Sequence, residues 1–112
     1  MLLGMHLTPI GEGNVLLEPS EGLDPGDPDA YLEDLVRALQ TLGARRLIYD
    51  LKSIPVIDRL YYDWLRRVHH VCQITGVELV AANMRPAAAF GLTTILEGDP
   101  PFVCALDVDS AR

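Results

Sequence analysis

The chain has 112 residues, of which 49% are hydrophobic and 22% charged. That is enough for one apolar core and too little for two, because domains need roughly 100–150 residues to bury sufficient surface. Sixteen acidic residues against nine basic ones give a formal charge of −7, and a surface of that sign repels phosphate backbones and anionic headgroups, which argues against nucleic acid and membrane as partners.

The opening Met1-Leu-Leu-Gly-Met5 lacks a basic region and a long apolar run, and no stretch approaches the roughly 20 apolar residues of a membrane span. A cytoplasmic protein is therefore expected. Cys72 and Cys104 lie in apolar surroundings without a CxxC pattern, which predicts reduced core thiols.

In chain order, His6–Ile10 and Asn14–Leu17, split by Gly11-Glu-Gly13, read as two strands of a hairpin. Residues 18–28 hold three prolines, two glycines and four acids, a polar loop leading to a helix whose first turn contains Asp27-Pro28-Asp29. Leu32, Leu35, Val36, Leu39 and Leu42 recur at helical spacing, and Gly43 is placed to end that helix in a left-handed conformation. Arg46–Leu51 reads as a buried strand, followed by the loop Lys52–Ile57. A second helix runs from Asp58 to about Thr75, stopped by Gly76, with Leu60, Trp64, Leu65, Val68 and Cys72 on its inner face. Val77–Ala82 is the nearly continuous apolar run of a central parallel strand. Pro86 opens a third helix, closed by Gly98 and Pro100-Pro101, and Phe102–Leu106 is a last strand before a short polar tail.

This order predicts a single α/β domain, with its core over about residues 5–107 and a mixed sheet of four to five strands carrying its helices mainly on one face. The loops after Leu51 and Asn83 leave the sheet at the same carboxyl edge, where sites form in open sheets. Lys52–Arg59 and Asn83–Pro86 are thus the expected functional edge.

The stretch Asp50-Leu-Lys-Ser-Ile-Pro-Val-Ile-Asp58-Arg59, then a helix, then Gly76-Val-Glu-Leu-Val-Ala-Ala-Asn-Met-Arg-Pro86-Ala-Ala-Ala, then Val103-Cys-Ala-Leu-Asp107 resembles the STAS domain of anti-anti-sigma factors. Within that family it is most similar to stressosome proteins of the RsbS and RsbR kind. The resemblance spans about Leu7 to Asp107 and implies a non-catalytic regulator without cofactor. Such a regulator docks a serine/threonine kinase, an anti-sigma factor or other STAS domains, with homo- or hetero-oligomers possible. In this family a phosphorylated hydroxyl follows the second aspartate of the motif. Here that aspartate corresponds to Asp58 and the acceptor position to Arg59, which cannot take phosphate. The partner-facing set implied is Asp50, Ser53, Ile54, Val56, Asp58, Arg59, Tyr62 and Arg85.

Simpler readings stand beside these. Asp58 is a good N-cap whatever the chain does, and Asp50 at a strand end can satisfy nearby backbone donors. A cation in the first turn of a helix opposes the macrodipole, so Arg59 is expected to gain from Asp58, Asp50, Asp63 or an acidic partner. Ile54, Val56 and Ile57 crowd apolar surface into a loop stiffened by Pro55, either against the chain's own helix or against a partner. Arg85 reads as part of a helix start or as a docking contact. Ser53, Thr93 and Thr94 are other hydroxyls open to phosphorylation, each also explained as an ordinary solvated side chain. Arg66, Arg67 and His70 form a small basic patch, either a solvated face or a seat for an acidic partner.

Enzyme chemistry has little support. His69 and His70 are about 100° apart around a helix and cannot aim at one metal, and His69 with Cys72 leaves a zinc site incomplete. No glycine-rich phosphate loop precedes a helix, and no nucleophile stands beside a base in a recognisable motif. The other class of function in view is a module that binds a small ligand or lipid in the edge cleft, or a structural subunit without switching.

Overall fold

The computed structural model describes residues 3–96 and 98–112; Met1-Leu2 of the opening and Glu97 lie outside the described residues. Strands β1 (Met5–Gly11) and β2 (Asn14–Pro19) form the expected hairpin. After it come α1 (Leu32–Thr41), β3 (Arg46–Asp50), α2 (Arg59–Ile74), β4 (Glu78–Ala82), α3 (Pro86–Ile95), β5 (Val103–Ala105) and a final one-turn helix, α4 (Val108–Ala111). The sheet has five strands in the order β1-β2-β3-β4-β5. β1 is antiparallel to β2, and every later pair is parallel.

Each crossover from β2 onward moves to the adjacent strand in the same direction along the sheet. Right-handed connections of that kind deliver every crossover helix to one face. Leu35 and Leu39 of α1, Trp64, Leu65 and Val68 of α2, and Ala88 and Leu92 of α3 accordingly share one core with Leu17, Leu47, Tyr49 and Leu79 of the strands. β3 and β4, buried on both faces, read as the apolar runs LIY and LVAA for that reason. Gly43 and Gly76, with φ of +63° and +75°, end α1 and α2 where the sequence placed them.

Four details depart from the sequence reading. The acidic loop does not run straight into α1: Pro28–Ala30 form a separate 3-10 turn, and α1 begins only after Tyr31. Tyr31 turns inward, its hydroxyl accepting the Asp24 N–H at 2.9 Å and its ring meeting Trp64 edge-on at 5.7 Å. Leu60 is not on the inner face of α2 but 51% exposed, and Tyr61 takes the inward position. At about 100° per residue, a start at Arg59 aligns 61, 64, 65, 68 and 72 and swings 60 aside.

The remaining two departures concern the end of the chain. Cys104 is exposed, because β5 is a three-residue edge strand; only Cys72 is a core thiol. Burial pushes the Cys72 thiol up to about 12. The polar tail is instead α4, capped by the Asp107 carboxylate, which accepts the Ser110 N–H at 2.8 Å. The Ser110 hydroxyl and backbone bonds lower the Asp107 carboxyl from its usual range. Val108 and Ala111, one turn apart, then cover Ile48, Val80 and Ala82 on the second face of the sheet.

α3 is drawn against the loop before α2 by an absence of side chain. A Cβ at Gly91 would stand 2.6 Å from the carbonyl oxygen of Ile57, so only glycine permits this approach. Gly91→Ala should lower stability by about 1–3 kcal/mol by overpacking, although alanine is favoured in a helix by about 1 kcal/mol. Chemical denaturation measures the sign, and a stabilised variant would mean that α3 does not sit on Ile57.

Candidate docking corner at the carboxyl edge of the sheet

β3 ends at Asp50 and β4 at Ala82, paired side by side. The loops that follow therefore leave from the same edge, as expected. Asp50 closes it. Its carboxylate is 2% exposed and accepts the Lys52 N–H at 2.9 Å and the Asn83 side-chain amide at 3.2 Å, with the Lys52 ammonium 3.3 Å away. A buried carboxylate costs several kcal/mol unless partnered in this way. Asn83 sits at φ +59°, a left-handed conformation that asparagine tolerates better than most residues. Its own N–H reaches the Leu106 carbonyl at 3.3 Å, tying the end of β5 into the same knot.

From this knot the chain passes through Ser53 and Pro55, both exposed, to the start of α2. Ile57 is buried beneath the turn. Asp58 takes the N-cap position, its carboxylate accepting the Tyr61 N–H at 2.8 Å. Arg59 is exposed at the first helical position, where a cation is disfavoured by the dipole. Asp63, one turn along, supplies the compensation at 3.4 Å. Of the acids considered from the sequence, this is the one that pairs with Arg59; Asp50 is held by Lys52 instead.

Below the corner, Tyr61 and Tyr49 share a hydrogen bond of 2.6 Å between hydroxyls, and Trp64 donates its indole N–H to Tyr49 at 2.9 Å. Burial pushes the Tyr61 hydroxyl up to about 12 and that of Tyr49 well above its ordinary value. Both phenols thus stay protonated and fix the first turns of α2 to the sheet.

The residues implied as partner-facing separate into two groups. Ser53, Val56, Asp58, Arg59 and Arg85 are exposed around the corner. Asp50 and Tyr62 are buried: Asp50 is closed in as described, and Tyr62, 6% exposed, packs in the core with the Arg66 guanidinium 6.0 Å from its ring centroid. Ile54 is half-buried against the core. These three hold the corner in place from behind.

The sequence reading missed two contributors. Phe90, on α3, is 73% exposed and adjoins Gly91, while Val56, 56% exposed, adjoins Ile57. The Gly91–Ile57 contact packs α3, which carries Phe90, against the loop that carries Val56. A glycine in mid-helix beside a phenylalanine was the available signal. The loop after β2 is the second: it leaves the same sheet edge and reaches α2, where Gly26 approaches Leu60. His69 and His70 diverge, His69 facing Phe102 at 6.1 Å and His70 lining a groove on the outer side of α2. Partial burial, with the adjacent His70 charge, lowers the His69 pKa.

A hairpin leading into three strand-helix-strand crossovers on one mixed sheet, with an exposed capped corner after the third strand, is the STAS fold. Solved structures carry it over nearly the whole chain. A serine-to-glutamate variant of RsbS from Moorella thermoacetica superposes with a TM-score of 0.74 at 18% identity, covering 96% of this chain and 90% of that one. A chain from the stressosome, described as a signal integration and transduction hub, gives 0.79 at 17% identity over 95% and 91%. TM1081, solved by NMR, gives 0.75 at 13% identity over 92% and 82%. No family model matches the sequence, and no curated protein matches it. At these identities the likeness establishes the fold.

Asp58→Ala should cost about 1 kcal/mol through loss of the cap, read by chemical denaturation. Unchanged stability would mean that Asp58 does not hold the start of α2.

Proposed function

We propose that the chain is a non-catalytic, cytoplasmic regulator of the anti-anti-sigma and stressosome type. It works by docking other STAS domains, a serine/threonine kinase or an anti-sigma factor. The observation that carries this reading is the corner itself: a capped strand-to-helix turn with Val56 and Arg59 exposed at the carboxyl edge, and an exposed Phe90 on the helix packed against its loop. Exposed apolar side chains rimmed by charge are typical of protein interfaces. The fold shared with RsbS and with a stressosome chain supports an assembly role. No helix among the described residues is long and apolar enough to cross a membrane, which is in keeping with it.

By the resemblance of its motif, the chain carries Arg59 where relatives carry a phosphorylatable alcohol. Phosphate at a helix start would be favoured by the free N–H groups and the dipole. Arginine presents the opposite sign, already neutralised from within by Asp63. The chain on this reading holds one docking state permanently, without a switch at that position.

The test is multi-angle light scattering of the protein mixed with STAS and kinase proteins of the same organism. A stable complex is expected for the wild type, and its loss in the Val56→Asp, Phe90→Asp double variant, since both side chains are solvent-facing and their change leaves the core intact. Wild type that stays free of every such partner, or a double variant that assembles normally, would remove the reading.

A further inference from the structure

Beside the corner, the loop after β2 and the outer face of α2 enclose a groove of about 530 Å3. One wall is Pro25, Gly26 and Pro28; the other is the helix from Arg59 to His70. Positions 59, 63, 66, 67 and 70 fall on one stripe because they recur at helical spacing. The walls are preformed. Trp64, bonded to Tyr49, lies at the base, and Tyr31 pins the loop through the Asp24 N–H while its ring rests on Trp64.

The charge of this groove opposes that of the chain. Three of the nine basic residues, Arg59, Arg66 and Arg67, line it, with Asp63 as the acid among its lining residues. Asp63 is engaged by Arg59 at 3.4 Å. Arg66 has no carboxylate within salt-bridge distance among the described residues. Arg67 reaches Asp29, next in sequence to Pro28 of the opposite wall, at 2.7 Å, an exposed pair of small net worth. That pair shows the chemistry the groove accepts: a carboxylate presented across the cleft. Leu60, half-exposed beside Gly26, adds an apolar contact between the charges.

We infer that this groove seats an acidic segment of a partner protein. The segment's carboxylates bond Arg66 and Arg67, displacing Asp29, and an apolar side chain between them rests on Leu60. The inference rests on the docking reading for the occupant being a protein. Charge complementarity selects an acidic segment, whereas the surrounding charge of −7 disfavours long polyanions such as nucleic acid.

Fluorescence anisotropy of the intact protein with a labelled peptide of alternating Glu and Leu tests it. A Gln/Leu peptide and a short single-stranded DNA are the comparisons. The acidic peptide should bind, weaken with added salt, and lose about tenfold in affinity or more in the Arg66→Glu, Arg67→Glu double variant. Arg45→Glu, at the far end of the sheet, should bind as wild type. Equal binding of the neutral peptide or of DNA, or wild-type affinity in the double variant, overturns the proposal. If that variant does not fold, Arg66→Gln alone decides by the same readout, since Arg66 is exposed and in no salt bridge among the described residues. Peptide binding without any STAS or kinase complex would leave the groove standing and remove the docking reading. A complex that forms equally well with Arg66→Gln, with no binding of the acidic peptide, would do the reverse.

Discussion

The hydrogen bond from the Tyr61 N–H to the Asp58 carboxylate is where the rest of the molecule is set. It fixes the first turn of α2, and with it the rotation of a sixteen-residue helix about its axis. That rotation points Tyr61, Trp64 and Leu65 into the sheet and leaves Arg59, Leu60, Arg66 and Arg67 to solvent. A one-residue shift would turn the stripe by about 100° and bury charge. Ile57 beneath the turn, against which Gly91 brings α3, and the Tyr49–Tyr61–Trp64 bonds hold the same phase from the core side. One capped corner therefore determines both what is buried and what can be touched.

Much of this was legible from local pattern. Gly43 and Gly76 stop helices because few other residues adopt positive φ so readily, Pro86 starts one, and the apolar runs of β3 and β4 mark strands covered on both sides. The corner at Asp58-Arg59 could be placed from the strand-loop-helix order alone. What failed did so for reasons of partnership. An apolar tripeptide such as Val103-Cys-Ala105 reads alike in the centre and at the edge of a sheet, so the exposure of Cys104 was not visible. Asp107-Val-Asp-Ser110 looks like a tail until its cap and the bare second face of the sheet are seen together. Leu60 was assigned to the inner face by hydrophobicity, whereas the cap sets the helix phase that turns Tyr61 inward and Leu60 out. α3, which carries Phe90, meets the corner through a contact between segments more than thirty residues apart.

The same topology explains why charge and apolar surface gather where they do. Parallel strands deliver every following loop to one edge. The loops after β2, β3 and β4 accordingly meet around the start of α2, bringing acidic, apolar and basic segments side by side. On a chain of net −7, α2 carries a cationic stripe, while the loop before it exposes Val56 and α3 exposes Phe90. A partner approaching this edge would meet both steering charge and an apolar anchor.

The correspondence of Arg59 with the family's phosphoacceptor is tested most directly by the Arg59→Ser variant. It would be incubated with ATP and a stressosome-type serine/threonine kinase and mapped by mass spectrometry, with an authentic family member as control. The account requires one phosphate on the introduced serine and none on the wild type. An unlabelled variant beside a labelled control would contradict it, because the corner would then not be the surface that such a kinase recognises.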